Sequence, residues 1–543
     1  MGSLTDGLLA FAPTRRRLLA SGAALAAGAA LEYTLSHTSL AAAVTARRQR
    51  CLEVARNITG TDDHGQDLRA LYRRLLNGPG PKSVRTGKHV VVVGAGMAGL
   101  AAGWMLHRAG HRVTIAEANV RVGGRIKTVR SGWAGPGHYG EAGAMRIPAQ
   151  HRLALGLIRR LGLPLQSFEL ANSHRLIRAG GATVFQDAYG HDPAVINKVF
   201  GVRQPLTARA LLETAFAPIR NTATSADGWA RFLDTYDEWS LRRWLIEGQM
   251  WGENTTELVG ALQGISARMP MSVMHSYLTA QALAAGASLY QIEGGMDQLP
   301  LALARQAPPV RHGLRLTAVD TRPHKVRLTF DSASDGEVTM DADHAVITAP
   351  FSCLRYVDFN PALSYGKQQA VELLHYGAGS KQMLEFNQRW WEDHDAGVGG
   401  QDVTDTPLRT VVYPSHPLGV DGGVVIASYT WADDAELWDS LSEHERAARA
   451  LDLLTDLHGP VVGRTYTGRY ASASWMDNPF SCGEAAIYAP GQAVALGPDT
   501  RTIEADGRLV FAGCSTSAPY RAWIEGALES ACRAVMQLGL HPA

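Results

Sequence analysis

"VVVGAGMAGLAAGWMLHRAGHRVTIAEA", residues 91–118, decides the fold of this chain. The run from His89 to Val93 is rich in β-branched residues and fits a buried parallel strand. The pattern from Met97 to Ala109 is helical, and Arg112 to Ala116 has the pattern of a second strand. The order strand, glycine-rich turn, helix, strand predicts a βαβ unit in a parallel sheet.

The glycines of this stretch have the GxGxxG spacing of a dinucleotide site. Gly94 permits the tight turn, Gly96 lets the backbone approach a pyrophosphate, and Gly99 lets the helix pack on the strand. The N–H groups of the helix N-terminus then face the phosphates. Glu117 ends the second strand, where an acid binds the ribose hydroxyls. The segment therefore predicts a bound dinucleotide.

The segment "EANVRVGGRIKT", which starts at Glu117, distinguishes between two dinucleotides. Gly123 and Gly124 are expected to bring a second helix or turn close to the same phosphates, and Arg125 supplies a fixed cation. A nicotinamide dehydrogenase has no need of this second clamp. A GGR after the acidic residue resembles the flavin amine oxidase superfamily, and the resemblance implies FAD as the ligand.

Four further motifs extend the resemblance over nearly all of residues 85–540. They are "YGEAGAMRIP" with Arg146, "YQIEGGMDQLP" at 290–300, "GSKQMLEFNQRWWE" with Lys381, and the closing "FAG…AWIEGALES". The implied fold class is α/β with mixed α+β parts: a discontinuous Rossmann-like FAD-binding domain, a mixed-sheet substrate-binding domain and a helical insertion.

The domain boundaries follow from the positions of these motifs and from composition. The expected ranges are 48–87 for an N-terminal helical segment, 88–130, 289–375 and 494–540 for the FAD-binding domain, 131–150 and 376–493 for the substrate-binding domain, and 151–288 for the helical domain. Strands predicted within Leu314–Thr329 and His344–Ala349 are expected to join the sheet of the glycine turn.

By its resemblance to L-amino-acid oxidases, the chain is expected to bind the substrate α-carboxylate through Arg146. A guanidinium matches a carboxylate with two parallel charge-assisted hydrogen bonds. The alternative is that Arg146 pairs with Glu141 or another acid. Tyr413 matches the position whose phenol binds the same carboxylate, its alternative being a core tyrosine. Ala522 and Trp523 match the carbonyl and the aromatic wall that receive the substrate amine.

Lys381 resembles the family lysine that holds a water near flavin N5, its alternative being a strand-end lysine in solvent. Monoamine oxidases place a flavin-bonding cysteine nine residues after a tryptophan and a cage tyrosine next to it. Counted from Trp475, those positions are Glu484 and Ala485. Cys482 lies two residues short, so FAD is expected to be held without a covalent bond.

The sequence supports two alternative predictions for the side chain of the preferred substrate. Arg268 and His275 lie seven residues apart, on one helix face if Pro270 sits in the first turn, and the stretch is similar to L-glutamate oxidases, which use such a pair for an acidic substrate. In the other reading this pair is structural, and four apolar residues shape a site for aromatic or long apolar side chains. They are Trp239, Trp244, Met271 and Met274.

Two positions depart from the family pattern. Cys514 stands where a glutamate usually follows "FAG", which weakens an FAD contact, and Arg521 stands where a histidine commonly precedes "AWIE". The second change is expected to place a cation near the substrate mouth, where it would either favour acidic substrates or only gate their entry. The expected FAD contacts are Gly94, Gly96, Ala98, Gly99, Glu117, Ala118, Gly124, Arg125, Gly143, Ala144, Met145, Arg146, Leu316, Trp475, Gly513, Cys514, Trp523 and Ile524.

The resemblance implies a two-electron oxidation of an L-amino acid by hydride transfer from Cα to N5 of FAD. Dioxygen would reoxidise the flavin, and the products would be a 2-oxo acid, ammonia and hydrogen peroxide. Two alternatives remain open: an aromatic amino-acid 2-monooxygenase that forms an amide, and a flavin-binding protein without turnover.

The composition of the chain limits the classes of molecule that it is expected to bind. With 543 residues, 46% of them apolar, the chain is long enough for two or three domains. The formal net charge of +1 offers no field for nucleic acid or an anionic membrane. The five cysteines form no CxxC pair, so neither a zinc site nor a disulfide framework is predicted. The expected partners are an amino acid and dioxygen, and a homodimer is expected.

The N-terminal segment, residues 1–47, differs from the rest. Arg15 to Arg17 precede the uncharged, mainly apolar run Leu18–Leu31, which is too short to span a bilayer. A twin-arginine signal with a cleavage site at Ala41 or Ala43 predicts a secreted or periplasmic protein. The alternative is an alanine-rich surface helix on a cytoplasmic protein.

Overall fold

A computed structural model gives the fold of residues 41–78, 87–284, 286–392, 397–415 and 421–540. The arginines and the apolar run of the predicted signal lie outside the described residues. Residues 41–59 are helical, and after a turn the helix Leu68–Asn77 follows, started by the side chain of Asp67. The N-terminal helical segment thus consists of two helices.

A five-stranded parallel sheet holds the glycine turn. Its order is Val310–Arg311, Arg112–Ala116, His89–Val93, His344–Ile347 and Leu509–Phe511. Neighbouring strands are parallel throughout. The helices Met97–Arg108 and Ile524–Gln537 pack in one apolar cluster with this sheet. Segments from three distant parts of the chain build it, so the domain is discontinuous, as the sequence predicts.

A separate four-stranded sheet follows the order Gly336–Ala342, Lys325–Ser332, Leu314–Arg322 and Asp358–Asn360. The expectation that the strands within Leu314–Thr329 join the sheet of the glycine turn is therefore wrong. Exposed and buried positions mix along both strands. Such mixing is typical of an antiparallel sheet with one wet face, whereas strands of the parallel sheet are buried on both faces.

A seven-stranded sheet forms the wall opposite the glycine turn. Its order is Tyr466–Ser474, Gly379–Phe386, Gly423–Trp431, Thr410–Val412, Gln401–Thr404, Leu176–Ala179 and Ala182–Phe185. The last two strands form a hairpin within the range assigned to the helical domain. They belong to this sheet instead, because the backbone N–H of Leu176 donates to Asp402 and that of Gly180 donates to Asp405.

Short strands connect the domains. The three-stranded sheet contains Ile147–Pro148, Leu289–Ile292 and Leu165–Ser167, and two two-stranded pairs are Thr128–Val129 with Gly140–Glu141 and Tyr376–Gly377 with Ala485–Ala486. The stretch between Glu141 and Ile147, which includes Arg146, is therefore tied at both ends.

The helical insertion has an aromatic core. Its helices are Arg152–Arg160, Gln186–His191, Ala194–Asn197, Ala208–Ala215, Ala217–Thr222, Ala226–Tyr236, Leu241–Arg243, Glu253–Leu262 and Val273–Ala282. The rings of Phe232, Tyr236, Trp239 and Trp244 meet at centroid distances of 5.1–6.5 Å, mostly edge to face. These contacts fix the insertion around its own core.

The remaining helices flank the sheets. They are Gln298–Gln306, Phe351–Leu354, Tyr365–Leu373, Asp433–Asp439, Glu443–His458, Val461–Thr465 and Gln492–Leu496. Within the described ranges, no helix combines the length and the apolar character needed to cross a bilayer.

One buried charge stands out beside the five-stranded sheet. Lys367, on the helix Tyr365–Leu373, is 0% exposed, and its Nζ has no hydrogen-bond partner among the described residues. The ammonium lies 4.1 Å from the ring centroid of Phe511. Burial lowers the pKa of Lys367 well below its ordinary value.

We expect Lys367→Met to raise the free energy of unfolding by about 1–3 kcal/mol, because it removes a buried polar group without a partner. The folded-state pKa lies below the unfolded one, so the unfolded chain binds more protons between these values and wild-type stability rises with pH there. The variant should lose that rise. Denaturant titrations across the alkaline range measure both effects. Lys198→Met, at an exposed lysine, is the control; equal effects in both variants would contradict the assignment.

Candidate active site

A single cavity of about 710 Å³ lies between the five-stranded and seven-stranded sheets and the helical insertion. One part of its lining comes from the glycine turn and the segments beside it. Another part is a set of titratable side chains that we call the polar cluster: Arg146, Arg268, His275, Lys381, Tyr429 and Glu484. Predicted cofactor residues and predicted substrate residues thus line the same space.

The three glycines of the turn do different work. Gly94 has a φ of +103°, and a Cβ there would lie 2.6 Å from Thr348 Oγ1. A Cβ on Gly99 would lie 1.9 Å from the carbonyl oxygen of Gly94, so Gly99 packs behind the turn and does not line the cavity. Gly96 has open space on its side-chain face and lines the cavity. Only Gly94 and Gly96 can therefore contact a ligand.

The glycine turn and its surroundings offer one site for an anion, at the helix N-terminus, and beside it one site for hydroxyl groups, at Glu117. The helix Met97–Arg108 begins without a side-chain cap, which leaves its N-terminal N–H groups for a phosphate. The Glu117 carboxylate accepts hydrogen bonds from the N–H of Ala95 (2.5 Å) and of Asn119 (2.7 Å). Burial raises the pKa of Glu117 and these two donors oppose the rise. A bridge pairs Gly96 with Gly123, so the second glycine pair forms a turn.

Arg125 is fixed between the two parts of the cavity. Its Nη1 donates to the carbonyl oxygen of Glu484 at 2.9 Å, and its Nη2 lies 3.3 Å from Cys514 Sγ. Its own carbonyl oxygen accepts from the N–H of Ala144, and a Cβ on Gly143 would lie 2.0 Å from that oxygen. The chain leading to Arg146 can pass this close only because residue 143 is glycine.

Arg146 lies in the cavity wall without a partner among the described residues. No hydrogen bond or ion pair reaches its guanidinium, although Tyr429 and Glu484 are within electrostatic range. Burial lowers its pKa. The Glu141 carboxylate, the alternative partner, instead accepts from Thr128 Oγ1 at 3.0 Å and from the N–H of Met296 at 2.7 Å. The cation is therefore available to a ligand.

Glu484 organises the rest of the polar cluster. Its Oε1 accepts from Tyr429 Oη at 3.1 Å and from Trp431 Nε1 at 3.2 Å, and its Oε2 lies 3.4 Å from Arg268 Nη2. Tyr429 and Trp431 are two residues apart on one strand, so both face the cavity. The guanidinium of Arg268 lies 4.2 Å above the Trp431 ring. Tyr429 and Trp431 were not predicted as site residues, although the alternation of the strand Gly423–Trp431 could have indicated them.

His275 is a neutral member of the polar cluster. Burial first, then Arg268 and Arg521, lower its pKa to about 3, so the imidazole carries no charge at neutral pH. Arg268 ends a 3₁₀ turn, Ser266–Arg268, and the helix with His275 begins only at Val273. The two residues are therefore not on one helix face as predicted, because Pro270 precedes the helix. Both nevertheless line the cavity.

Lys381 lies inside the strand Gly379–Phe386 and is 2% exposed, so it is not a strand-end lysine in solvent. Its Nζ donates to the carbonyl oxygens of Glu141 (3.0 Å) and Gly143 (2.6 Å) and lies 4.5 Å from the ring centroid of Tyr429. An ammonium has three N–H donors, so one is left for the cavity. Burial lowers the pKa of Lys381.

Ala522 and Trp523 complete the wall. Both line the cavity just before the helix Ile524–Gln537. Ala522 has a φ of +65°, a left-handed conformation that is uncommon for a residue with a side chain. The Trp523 ring is held edge-on by His151 at 5.1 Å. The adjacent Arg521, predicted at the substrate mouth, is instead buried behind the wall, with its guanidinium 3.5 Å from the ring centroid of Tyr488.

The structure does not bring Tyr413 to the cavity, which corrects its predicted role. Tyr413 is 1% exposed and its hydroxyl donates to Asp402 Oδ2 at 2.5 Å, while His458 Nε2 lies 2.7 Å from the same carboxylate. Trp390 and Trp391 pack around its ring. Tyr413 is thus the core tyrosine of its alternative reading, and Tyr429 is the phenol that faces the cavity.

The structure also does not place at the cavity the four residues on which the predicted preference for aromatic or long apolar side chains was based. None of Trp239, Trp244, Met271 and Met274 lines the cavity. Trp239 and Trp244 pack in the aromatic core of the insertion, and Met274 is 0% exposed. The hydrophobic residues of this range pack in the core of their own domain. Composition alone does not distinguish hydrophobic core residues from residues that line a pocket.

The predicted cofactor residues other than Gly99 all line the cavity. They are Gly94, Gly96, Ala98, Glu117, Ala118, Gly124, Arg125, Gly143, Ala144, Met145, Arg146, Leu316, Trp475, Gly513, Cys514, Trp523 and Ile524. In the part of the chain that the structure describes, no three His, Cys, Asp or Glu residues are grouped so that they could hold a metal ion.

Comparison with known proteins identifies one matching family and several similar enzymes. Residues 97–538 match the family described as flavin containing amine oxidoreductase. An L-glutamate oxidase precursor of Streptomyces viridosporus is 34% identical over 90% of this chain and 91% of its own length. An L-amino-acid oxidase of Siganus canaliculatus is 31% identical over 84% of this chain and 86% of its own. The solved cyclohexylamine oxidase of Brevibacterium oxydans matches with a TM-score of 0.67 at 19% identity, covering 83% of this chain and 99% of that one.

We expect Tyr413→Phe to lower the free energy of unfolding by about 1–3 kcal/mol, because the buried Asp402 loses a charge-assisted donor. The absorbance spectrum of bound flavin should not change, since Tyr413 does not line the cavity. Chemical denaturation and the visible spectrum measure the two effects. Tyr466→Phe is the matched control, a tyrosine packed on the same apolar cluster whose hydroxyl has no hydrogen bond to another described residue. A variant of unchanged stability with a shifted flavin spectrum would contradict this placement.

Proposed function

The chain belongs to the flavin-containing amine oxidoreductase family, and on that premise we propose that it is an FAD-dependent L-amino-acid oxidase for a substrate with an acidic side chain. The observation that supports it most is the unpartnered guanidinium of Arg146 in the cavity. When bound, FAD accepts two electrons and a hydrogen from the substrate carbon. The protein supplies binding, orientation and proton handling.

The residues present fit FAD. The uncapped helix after Gly96 and the turn at Gly123 and Gly124 would hold the two phosphates, and Glu117 would bind the ribose hydroxyls. Arg125 would place a fixed positive charge beside the cofactor. Glu484 occupies the position of the flavin-bonding cysteine of monoamine oxidases, which supports a non-covalent FAD.

Arg146 supports recognition of the α-carboxylate. The half-buried guanidinium of Arg146 is partly desolvated and has no partner among the described residues, and a ligand carboxylate would supply two parallel hydrogen bonds. An amine without a carboxylate would leave this charge unpaired. Because the tether at Glu141 and Gly143 fixes the backbone before Arg146, the guanidinium would hold the substrate in one orientation.

The charge of the polar cluster supports an acidic side chain. Arg146 and Arg268 are cations and Glu484 is the anion between them, so the three leave an excess of one positive charge. The Lys381 ammonium and the Glu141 carboxylate interact with each other and offset one another, and His275 is neutral. An L-amino acid with a side-chain carboxylate has a net charge of −1 and balances this excess. A neutral zwitterion would not.

The remaining residues of the cavity wall would bind the substrate amine and transfer protons. The carbonyl oxygen of Ala522 would accept a hydrogen bond from the substrate amine, and the Trp523 ring would form the apolar side of the site. The third N–H of Lys381 would position a water molecule. Because burial lowers the Lys381 pKa, Nζ can take up and release a proton near neutral pH. Water then hydrolyses the imino acid to a 2-oxo acid and ammonia, and dioxygen takes up the electrons as hydrogen peroxide.

We infer export from the N-terminal sequence. Three arginines before an apolar run fit a twin-arginine signal, and the Streptomyces viridosporus relative is named a precursor. A flavoprotein has to fold around its cofactor before export, which this route permits. The protein would act outside the cytoplasm, as a homodimer.

Anaerobic mixing with each of the twenty L-amino acids tests the function. We expect the yellow absorbance to bleach fastest with L-glutamate or L-aspartate, and the aerobic product to be a 2-oxo acid with hydrogen peroxide. Arg146→Met should lower kcat/KM by about 10²–10⁴-fold, because two charge-assisted hydrogen bonds are lost. Arg159→Met, at an exposed arginine outside the cavity, is the control. Bleaching by no amino acid, or an amide product, would refute the proposal.

Arg268→Leu tests the side-chain preference. We expect kcat/KM for L-glutamate to fall by about 10–100-fold relative to that for L-glutamine, because the side-chain carboxylate loses a charged partner. The ratio of the two values is the measurement, so a general loss of activity does not count. Arg243→Leu, an exposed arginine of the same insertion paired with Glu247, should leave the ratio unchanged. An unchanged ratio in the Arg268 variant would contradict the assignment.

A further inference from the structure

Two cysteines distant in the sequence meet beside the cavity. Cys353 Sγ and Cys482 Sγ are 3.8 Å apart, although 129 residues separate them along the chain. All five cysteines lie in the described ranges and are free thiols, and no other two of them are within hydrogen-bond distance of each other. A disulfide needs a sulfur–sulfur distance of about 2 Å, so each sulfur has to move by only about 1 Å.

The segments that hold the two thiols are already in register. Ser352 Oγ donates to the carbonyl oxygen of Ser481 at 2.9 Å, which fixes the residues immediately before each cysteine. Cys353 follows on the short helix Phe351–Leu354 after the strand His344–Ile347, whereas Cys482 lies in the loop that follows Trp475. A cross-link would therefore join the five-stranded-sheet domain to a loop of the opposite domain.

Both thiols can be reached by a small oxidant. Cys353 lines the cavity, as do Ser481 and Glu484 on either side of Cys482. Cys353 and Cys482 are half-buried, unlike Cys51, Cys514 and Cys532, which are buried. Hydrogen peroxide formed in the cavity would therefore reach Cys353 directly.

We propose that Cys353 and Cys482 form a reversible disulfide when hydrogen peroxide oxidises them. The source of the peroxide rests on the proposed function, whereas the site itself does not. One peroxide molecule is reduced to two waters, the two S–H bonds break, and one S–S bond forms. The enzyme's own product would in this way modify the wall of its cavity.

Cys482 is the thiol that reacts first. Burial raises the pKa of Cys353, which keeps it protonated. The Cys482 thiolate attacks one peroxide oxygen and gives a sulfenic acid and hydroxide. The Cys353 sulfur then displaces hydroxide from that sulfenic acid, its proton leaves with the hydroxide as water, and the disulfide closes.

The cross-link would hold the loop of residues 475–484 against the opposite domain. This loop includes Trp475, whose Nε1 donates to the carbonyl oxygen of Ala142, and ends at Glu484, which contacts Arg268 and Tyr429. The disulfide would close a covalent loop around more than a hundred residues, so oxidation should raise the melting temperature. It would also fix the position of Glu484 in the polar cluster.

The test treats the purified holoenzyme, without amino acid, with a small excess of hydrogen peroxide. Peptide mass spectrometry under non-reducing conditions should find one cross-linked peptide containing Cys353 and Cys482, a thiol titration should lose two groups, and the melting temperature should rise. Dithiothreitol should reverse all three changes. Cys353→Ser and Cys482→Ser should each abolish them, and Cys51→Ser, at a buried cysteine remote from the pair, should keep them.

Absence of the cross-linked peptide in the wild-type protein would overturn the proposal, and so would overoxidation of Cys482 without pairing to Cys353. A second arm replaces added peroxide with an amino-acid substrate in air, with and without catalase. A cross-link in the first arm, with no catalase-sensitive cross-link in the second and no flavin bleaching by any amino acid in the anaerobic test, would support the site and refute the proposed function. The two failures are therefore distinguishable.

Discussion

The whole site depends on the guanidinium of Arg146, which is half-buried in the cavity wall and has no partner among the described residues. Desolvation of an unpaired charge costs several kcal/mol, and proteins normally pair such a group or leave it in water. Here Glu141, the nearest acid in sequence, is engaged by Thr128 and by a backbone N–H, so Arg146 stays unpaired among the described residues. The fold therefore leaves the hydrogen-bonding groups of this guanidinium free for a ligand, and in the proposed function the substrate α-carboxylate binds them.

The elements around Arg146 all serve that arrangement. Gly143 lets the chain pass against Arg125, and Lys381 holds the same segment from the other side through two carbonyl oxygens. Glu484 offsets one positive charge while it fixes Tyr429 and Trp431 in place. The substrate-binding domain and the helical insertion both contribute to the polar cluster, so the geometry of the cluster depends on how these two domains pack together.

The part of the site that depends on residues close together in the chain could be predicted from the sequence. The glycine turn, Glu117 and Arg125 follow from what a pyrophosphate and a ribose require within a few residues, and the structure places Gly94, Gly96, Glu117 and Arg125 on the cavity. Long-range packing was not predictable. Tyr413 and Tyr429 are equally suitable phenols, but only Tyr429 is on the strand face toward the cavity, and Asp402 draws Tyr413 into the core. The segment between Arg268 and His275 likewise depends on a partner far away in the chain, since the N–H of Ser272 donates to the carbonyl oxygen of Tyr488.

Anaerobic reduction by L-glutamate and by 4-aminobutyrate tests whether Arg146 recognises the α-carboxylate, because the second compound is the first without that group. Rapid-mixing absorbance gives the rate of flavin reduction for each under identical conditions, with the wild-type protein and no substitution. We expect rapid bleaching by L-glutamate and a rate at least about 10²-fold lower for 4-aminobutyrate, since Arg146 would stay unpaired. Comparable rates for the two compounds would contradict that recognition.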